Sequence, residues 1–293
     1  MHNRDRSECS PWFRLGRPIL FGLLTAWVAA SAQAHDTWFQ PRPAASPPAL
    51  WLGTGDRFPV LEYRVEFEHL ARHGCAPQAE LAAKGVAAGR PLVAVSGPAG
   101  RLGNALALRL PAAAVESGTT AGVPYSCWAS LVPFDIEIEP PKVDLYLKEI
   151  AAGDALRAAW AAEQAAGRPW RERYTKHLRI ELGAASPQAL GLMLEAVLLD
   201  AGVPKAGQPL RFRLLHAGQP LTDHPVELVS ELSKVGLWRR TDAAGGISLS
   251  LPLAGRWLLR STLLRPPAQP GGRWESDFTT LAFELAAAAP AGR

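Results

Sequence analysis

Histidine and cysteine are the side chains of this chain best suited to holding a metal ion, and their positions decide what chemistry is open to it. His35 directly follows Ala32-Gln33-Ala34, an A-x-A pattern at which secretory signal segments are cut. Cutting between Ala34 and His35 makes His35 the mature N-terminus, so its α-amine and a ring nitrogen can grip one ion. An α-amino group has an ordinary pKa of about 8, low enough for a metal to displace its proton at neutral pH, and neutral imidazole suits copper, nickel or zinc. A third ligand from elsewhere would complete a histidine brace. The plainer reading of His35 is a residue tolerated after a cleavage point, or one making a structural hydrogen bond.

Three histidines compete for the place of third ligand. His69 and His73 lie four apart in Glu68-His69-Leu70-Ala71-Arg72-His73, a spacing that puts both on one face of a helix or a strand. Arg72 beside them equally suits a solvated face. His177 ends the charged stretch Arg171-Glu172-Arg173-Tyr174-Thr175-Lys176-His177 and serves if that stretch returns to the N-terminus; otherwise it reads as a satisfied strand residue. His216 and His224 flank an expected hairpin and read as surface. Cys9 leaves with the signal segment, so Cys75 and Cys127 remain as an even pair in an oxidising compartment, where a disulfide is expected. It would close a loop of about 50 residues, worth roughly 4 kcal/mol. Two thiolate metal ligands are the alternative, a weak zinc signal without a second CxxC pair. No G-x-S-x-G elbow, H-E-x-x-H, P-loop or dinucleotide fingerprint occurs. No catalytic residue is therefore assigned, and a non-enzymatic binding protein is expected.

The elements that must position these residues are mostly strands. With 48% apolar and 20% charged residues, 26 Gly and 26 Pro, the chain is neither disordered nor collagen-like nor disulfide-dense. Residues 1–34 have a basic start containing Arg14 and Arg17 and an apolar stretch from Pro18 to Ala30. That stretch is shorter than the roughly 20 residues a spanning helix needs, so a periplasmic protein that does not span the membrane is expected after cleavage. Without the signal, 27 basic and 25 acidic residues remain, which argues against a nucleic-acid partner.

From Trp38 onward, short stretches alternate between apolar and polar residues. Tyr63, Val65 and Phe67 alternate with Arg64, Glu66 and Glu68, and Phe134, Ile136 and Ile138 with Asp135, Glu137 and Glu139. A β-rich domain over 35–140 follows. Val143, Leu147 and Ile150 then recur at helical spacing, Gly153 interrupts, Asp154 can cap, and Leu156, Ala159 and Trp160 resume, giving a helical connector and linking strand over 141–190. Leu210, Phe212 and Leu214, the turn His216-Ala217-Gly218-Gln219-Pro220, and Ile247, Leu249 and Leu251 describe a second strand-rich domain over 191–286, with a frayed tail at 287–293. Of the ten Trp, Trp257 suits a sandwich core, while Trp51, Trp170, Trp238 and Trp274 are open candidates for an exposed binding surface.

The order of these pieces resembles the exported DUF4198 family. The resemblance rests on His35-Asp36-Thr37-Trp38-Phe39, Glu172-Arg173-Tyr174-Thr175-Lys176-His177, Gly218-Gln219-Pro220-Leu221, Thr241-Asp242-Ala243-Ala244-Gly245, Gly255-Arg256-Trp257-Leu258-Leu259 and Trp274-Glu275-Ser276-Asp277-Phe278. The segment from His69 to Cys127 departs from it. The resemblance implies a periplasmic protein with a C-terminal immunoglobulin-like or prealbumin-like domain and a link to nickel or cobalt uptake; it brings no catalytic residues. The expectation is therefore an all-β protein of two antiparallel sandwich domains joined by a helical connector. Its function would be binding Cu, Ni or Co through His35, with His177, His69 or His73 completing the site, in concert with an envelope transporter or receptor. A metal-free carrier sandwich and a copper-dependent oxidase with a histidine brace are the rival readings.

Overall fold

Period-two alternation recurs along the chain, and strands are the commonest element among the described residues. The computed structural model describes residues 35–42, 49–96, 103–110 and 124–288; the expected signal segment 1–34 and residues 289–293 of the expected tail lie outside them. In chain order come β1 (Asp36–Pro41), β2 (Ala49–Gly55), β3 (Tyr63–Arg64), β4 (Leu70–Pro77), a short helix Gln78–Lys84, β5 (Val93–Ala94), β6 (Leu106–Arg109), β7 (Tyr125–Leu131) and β8 (Phe134–Ile138). Helices Pro140–Glu149 and Asp154–Ala165 follow, then β9 (Trp170–Leu182), β10 (Leu194–Leu198), β11 (Pro209–His216), β12 (Gln219–Pro220), β13 (Pro225–Ser230), β14 (Leu237–Arg240), β15 (Gly246–Ser250), β16 (Gly255–Arg265) and β17 (Trp274–Leu285). Among the described residues no helix is long and apolar enough to cross a membrane.

Local chemistry accounts for most of these elements. On β11 the side chains of Leu210, Phe212 and Leu214 turn inward and Arg211 and Arg213 outward. The two-residue turn to β12 puts Ala217 and Gly218 at positive φ, the geometry that tight hairpins need. The expected strand over 63–68 is shorter than its pattern suggests. β3 pairs with β2 only through Gly53–Arg64 and Thr54–Tyr63, because β6 occupies that edge from Ala49 to Leu52; the chain then closes into a 3₁₀ turn at Phe67–His69. Pro140 and Pro141 open the first connector helix, where their missing N–H groups cost nothing. Gly153, not Asp154, caps the second, and Asp154 sits in its first turn, where a negative charge suits the helix N-terminus.

The all-β expectation holds, in three sheets rather than two separate sandwiches. A five-stranded sheet runs β1-β2-β6-β5 with β3 beside β2, a four-stranded sheet joins β10, β11, β12 and β15, and an eight-stranded sheet runs β14-β13-β16-β17-β9-β7-β4 with β8 on β9. The eight-stranded sheet is the middle layer. Leu178, Ile180, Leu258 and Ala282 pack from one face onto Trp38, Phe39, Leu50 and Leu52; Trp257, Leu259, Leu281 and Phe283 pack from the other onto Leu194, Leu210, Phe212 and Leu249. Strands from the expected 35–140, 141–190 and 191–286 segments thus share one sheet. The reason lies in β9, buried on both faces from Lys176 to Glu181: such a strand must have cover on both sides. It lies antiparallel to β7 but parallel to β17, the one departure from an antiparallel plan among the described strand-to-strand pairs.

Buried polar groups fasten the layers. Arg179 donates from Nε to Glu181 (2.6 Å), from Nη1 to Glu195 (2.8 Å) and the Gln188 carbonyl (2.9 Å), and from Nη2 to the Ser186 carbonyl (2.8 Å). Under the connector helices, Trp170 and Trp274 stack at 4.2 Å. Glu172 there accepts hydrogen bonds from Trp170 (2.8 Å), Tyr146 (3.0 Å) and Ser276, with burial holding its carboxyl above the usual range.

Candidate functional site

His35 lies at the foot of β1, one step beyond the Asp36–Gly55 pair. There its ring meets Asp56, the first residue after β2, and Nδ1 makes a hydrogen-bond contact with Asp56 Oδ1. The loop from Asp56 to Glu62 folds back because Phe58 plugs into the core edge-on to Trp38, at 5.7 Å. The Glu62 backbone N–H donates to Thr54 O (2.8 Å). This returns the Glu62 carboxylate to the start of the loop, where Oε2 accepts from the Asp56 backbone N–H (2.7 Å). Gly55 permits the approach: a Cβ there would lie 2.3 Å from the Val60 carbonyl oxygen. One ligand atom each from His35, Asp56 and Glu62 thus falls within 4.8 Å of the others. The His35 ring leans on Tyr63 (4.8 Å between centroids). Its side chain is 18% exposed and that of Asp56 41%, so the group is reachable from solvent.

The backbone of His35 is held from below. Lys176 Nζ donates to the His35 carbonyl (2.6 Å) and to Thr37 Oγ1 (3.1 Å), and lies near the faces of Tyr174 and Phe278. Burial pushes the Lys176 ammonium down to about 8, against the pull of Asp36. Asp56 also borders a cleft of about 120 Å³ whose walls include Asp36, Trp238, Arg260 and Phe278. Arg260 reaches Asp36 on one side and Glu227 (2.7 Å) on the other; Asp36, then Glu227, hold its guanidinium above its ordinary pKa. Trp238 is exposed, whereas Trp170, Trp257 and Trp274 are core.

The other anticipated ligands lie elsewhere. The stretch ending at His177 does return to residue 35, but with its neighbour. Strand side chains alternate between faces, so Lys176 reaches His35 while His177 turns to the opposite face, between Ser130 (2.9 Å) and Asp277 (3.1 Å). His69 packs edge-on against Phe134 at 5.2 Å. His73 lies 5.2 Å from Phe67 and accepts from the Leu92 backbone N–H (3.2 Å). A register slip between Leu70 and Arg72 separates the two, so their four-residue spacing does not bring them together on one ligand. Cys75 and Cys127 face each other across β4 and β7 and are joined by a disulfide. Asp56 and Glu62 carry no sequence signal beyond two carboxylates in a loop after a glycine turn.

His224 is not the surface residue its hairpin position suggests. Its Nε2 lies 3.1 Å from the Thr262 carbonyl, and burial pushes its pKa down to about 4 from 6.5. The unfolded chain takes up this proton as pH falls through 6.5, while the folded protein refuses it until about pH 4. Stability is therefore full above 6.5 and declines between 6.5 and 4, by at most about 3 kcal/mol. Urea melts from pH 7 to pH 4 should show a flatter acid limb in His224→Gln than in the parent.

Compared with known proteins, the chain matches no family model and no curated protein.

Proposed function

We propose that this is a periplasmic protein of the DUF4198 kind that binds a transition-metal ion, copper, nickel or cobalt, at its mature N-terminus. One observation carries the reading: His35 Nδ1 faces two carboxylates, Asp56 and Glu62, at a solvent-reachable point beside a cleft. Nδ1 is the ring nitrogen that can close a chelate with the α-amine of the same residue. Amine, imidazole and two carboxylates make a mixed nitrogen and oxygen set, the kind that suits Cu(II) or Ni(II) in tetragonal geometry. Asp56 and Glu62 take the completing places for which His177, His69 and His73 were the sequence candidates. Handing the ion to an envelope transporter or receptor is the role this implies.

Calorimetric titration with Cu(II) and Ni(II) tests it, using protein that begins at His35, the same protein with one extra residue before it, and Asp56→Asn in the first. Tight binding is expected in the first, and binding weaker by about tenfold or more in the other two. Equal affinity in all three, or none in the first, overturns the reading. The exposed Trp238 in the cleft wall favours a second reading, a metal-free carrier of small ligands, which predicts quenching of its fluorescence by a ligand with no metal present.

A further inference from the structure

Away from His35, a serine, a histidine and a carboxylate form a hydrogen-bonded row across three neighbouring strands of the central sheet. Ser130 on β7 is directly opposite His177 on β9. Asp277 on β17 lies two residues before Thr279, which is opposite His177 on the other side. Ser130 Oγ is 2.9 Å from His177 Nδ1, and His177 Nε2 is 3.1 Å from Asp277 Oδ1. The other Asp277 oxygen accepts from Arg265 Nη2 (2.8 Å).

The charges at one end fix the direction of this row. Burial pushes the Asp277 carboxyl up, but the His177 hydrogen bond and the Arg265 ion pair bring it below its ordinary value, so it is an anion at neutral pH. A carboxylate only accepts, so in the unprotonated ring that a general base requires the remaining N–H sits on Nε2. Nδ1 therefore presents a lone pair, and the Ser130 hydroxyl must donate to it. This is the direction that an activated hydroxyl nucleophile needs. Exposure also follows the direction: the His177 and Asp277 side chains are only 5% and 7% exposed, and Ser130 at the outer end is half-buried. Next to Ser130 the edge strand β4 carries the register slip between Leu70 and Arg72, the kind of bulge that often adjoins reactive sites. Arg72 stands directly opposite Ser130 on the same face, its guanidinium donating to the Leu190 and Gly191 carbonyls.

We propose that Ser130 is an acyl-accepting nucleophile, with His177 as its general base and Asp277 as the positioning residue, acting on small activated esters. Ser130 Oγ bonds to the acyl carbon as its proton passes to His177 Nδ1, and the departing alkoxide takes that proton away as an alcohol. Water then gives a proton to Nδ1 and its hydroxyl to the acyl carbon; the acid leaves, and Ser130 recovers its proton from His177. This activity goes beyond the metal reading and needs no metal.

The test is incubation of the protein, in the presence of a chelator, with a fluorophosphonate and separately with p-nitrophenyl acetate. The expected result is a stoichiometric mass increase mapped to Ser130. Ester hydrolysis should fall by about a hundredfold or more in Ser130→Ala, whose half-buried position lets it keep the parent circular dichroism. Should His177→Gln fail to fold, nitrogen-15 shifts of the His177 ring serve instead: they should report the Nε2–H tautomer in the parent and its loss, together with labelling, in Asp277→Asn. Absence of labelling in the folded parent, or hydrolysis undiminished in Ser130→Ala, overturns the proposal.

Discussion

Arg179→Met is expected to destabilise the protein by about 3–5 kcal/mol, measured as a fall in the urea midpoint at unchanged slope. The guanidinium is fully buried and shared by Glu181 and Glu195. Removing it leaves two carboxylates in a dry interior, and burial already pushes the Glu181 carboxyl up while Arg179 draws it back down. The loss reaches beyond one pair. Glu195 Oε1 also accepts from the Leu190 backbone N–H (2.7 Å), and Glu181 Oε2 accepts from Ser126 (2.6 Å) and Gln78 (2.8 Å). One cation therefore joins β7, β9, β10 and the helix Gln78–Lys84. The triple variant Arg179→Met with Glu181→Gln and Glu195→Gln should recover most of the loss, because no unpaired charge remains. A triple variant as unstable as the single one would show that shape, not charge, makes this junction.

Removing the disulfide with Cys75→Ala and Cys127→Ala together should cost about 4 kcal/mol, the loop-entropy value for a separation of 52 residues. Both cysteines are fully buried within the core between the middle and five-stranded sheets, so a reductant reaches the bond only when that core opens. A phosphine reductant should leave the native melting temperature unchanged in short incubations and lower it sharply once the protein has been unfolded and refolded in its presence. Equal stability of the oxidised protein and the double variant would mean that the sheet register alone holds β4 against β7.

Much of the fold is legible in the sequence wherever the signal is local. The alternation of Leu210, Phe212 and Leu214 with two arginines is a strand, and Val143, Leu147, Leu156 and Trp160 are helix faces. Gly218 marks its hairpin. What escapes local reading is the pairing of β9 with β17, whose partners lie about a hundred residues apart in the chain. The stretch 171–177 misleads for the same reason: its charges look like a solvated surface, yet Glu172 and Lys176 are buried because distant residues satisfy them. The site is half legible. His35 is marked by the motif before it, but Asp56 and Glu62 reach it through a loop whose path depends on Phe58 finding the core. His177 misses by one residue, and in a strand one residue is the difference between opposite faces.

The parallel pairing of β9 with β17 also sets a timetable. A chain is made from its N-terminus, so β9 exists long before Trp274–Leu285 has been synthesised, and the nine residue pairs from Trp274–Glu172 to Ala282–Ile180 cannot form in the interval. Throughout it the middle layer has β7 on one side of β9 and an open edge of unpaired backbone N–H and C=O groups on the other, which any extended segment of a neighbouring chain can cover. Among the described strands the one latest in the chain, β17, closes this gap. A chain cut short of residue 274 therefore carries this sheet without the strand that pairs with β9, and is the form most prone to aggregation.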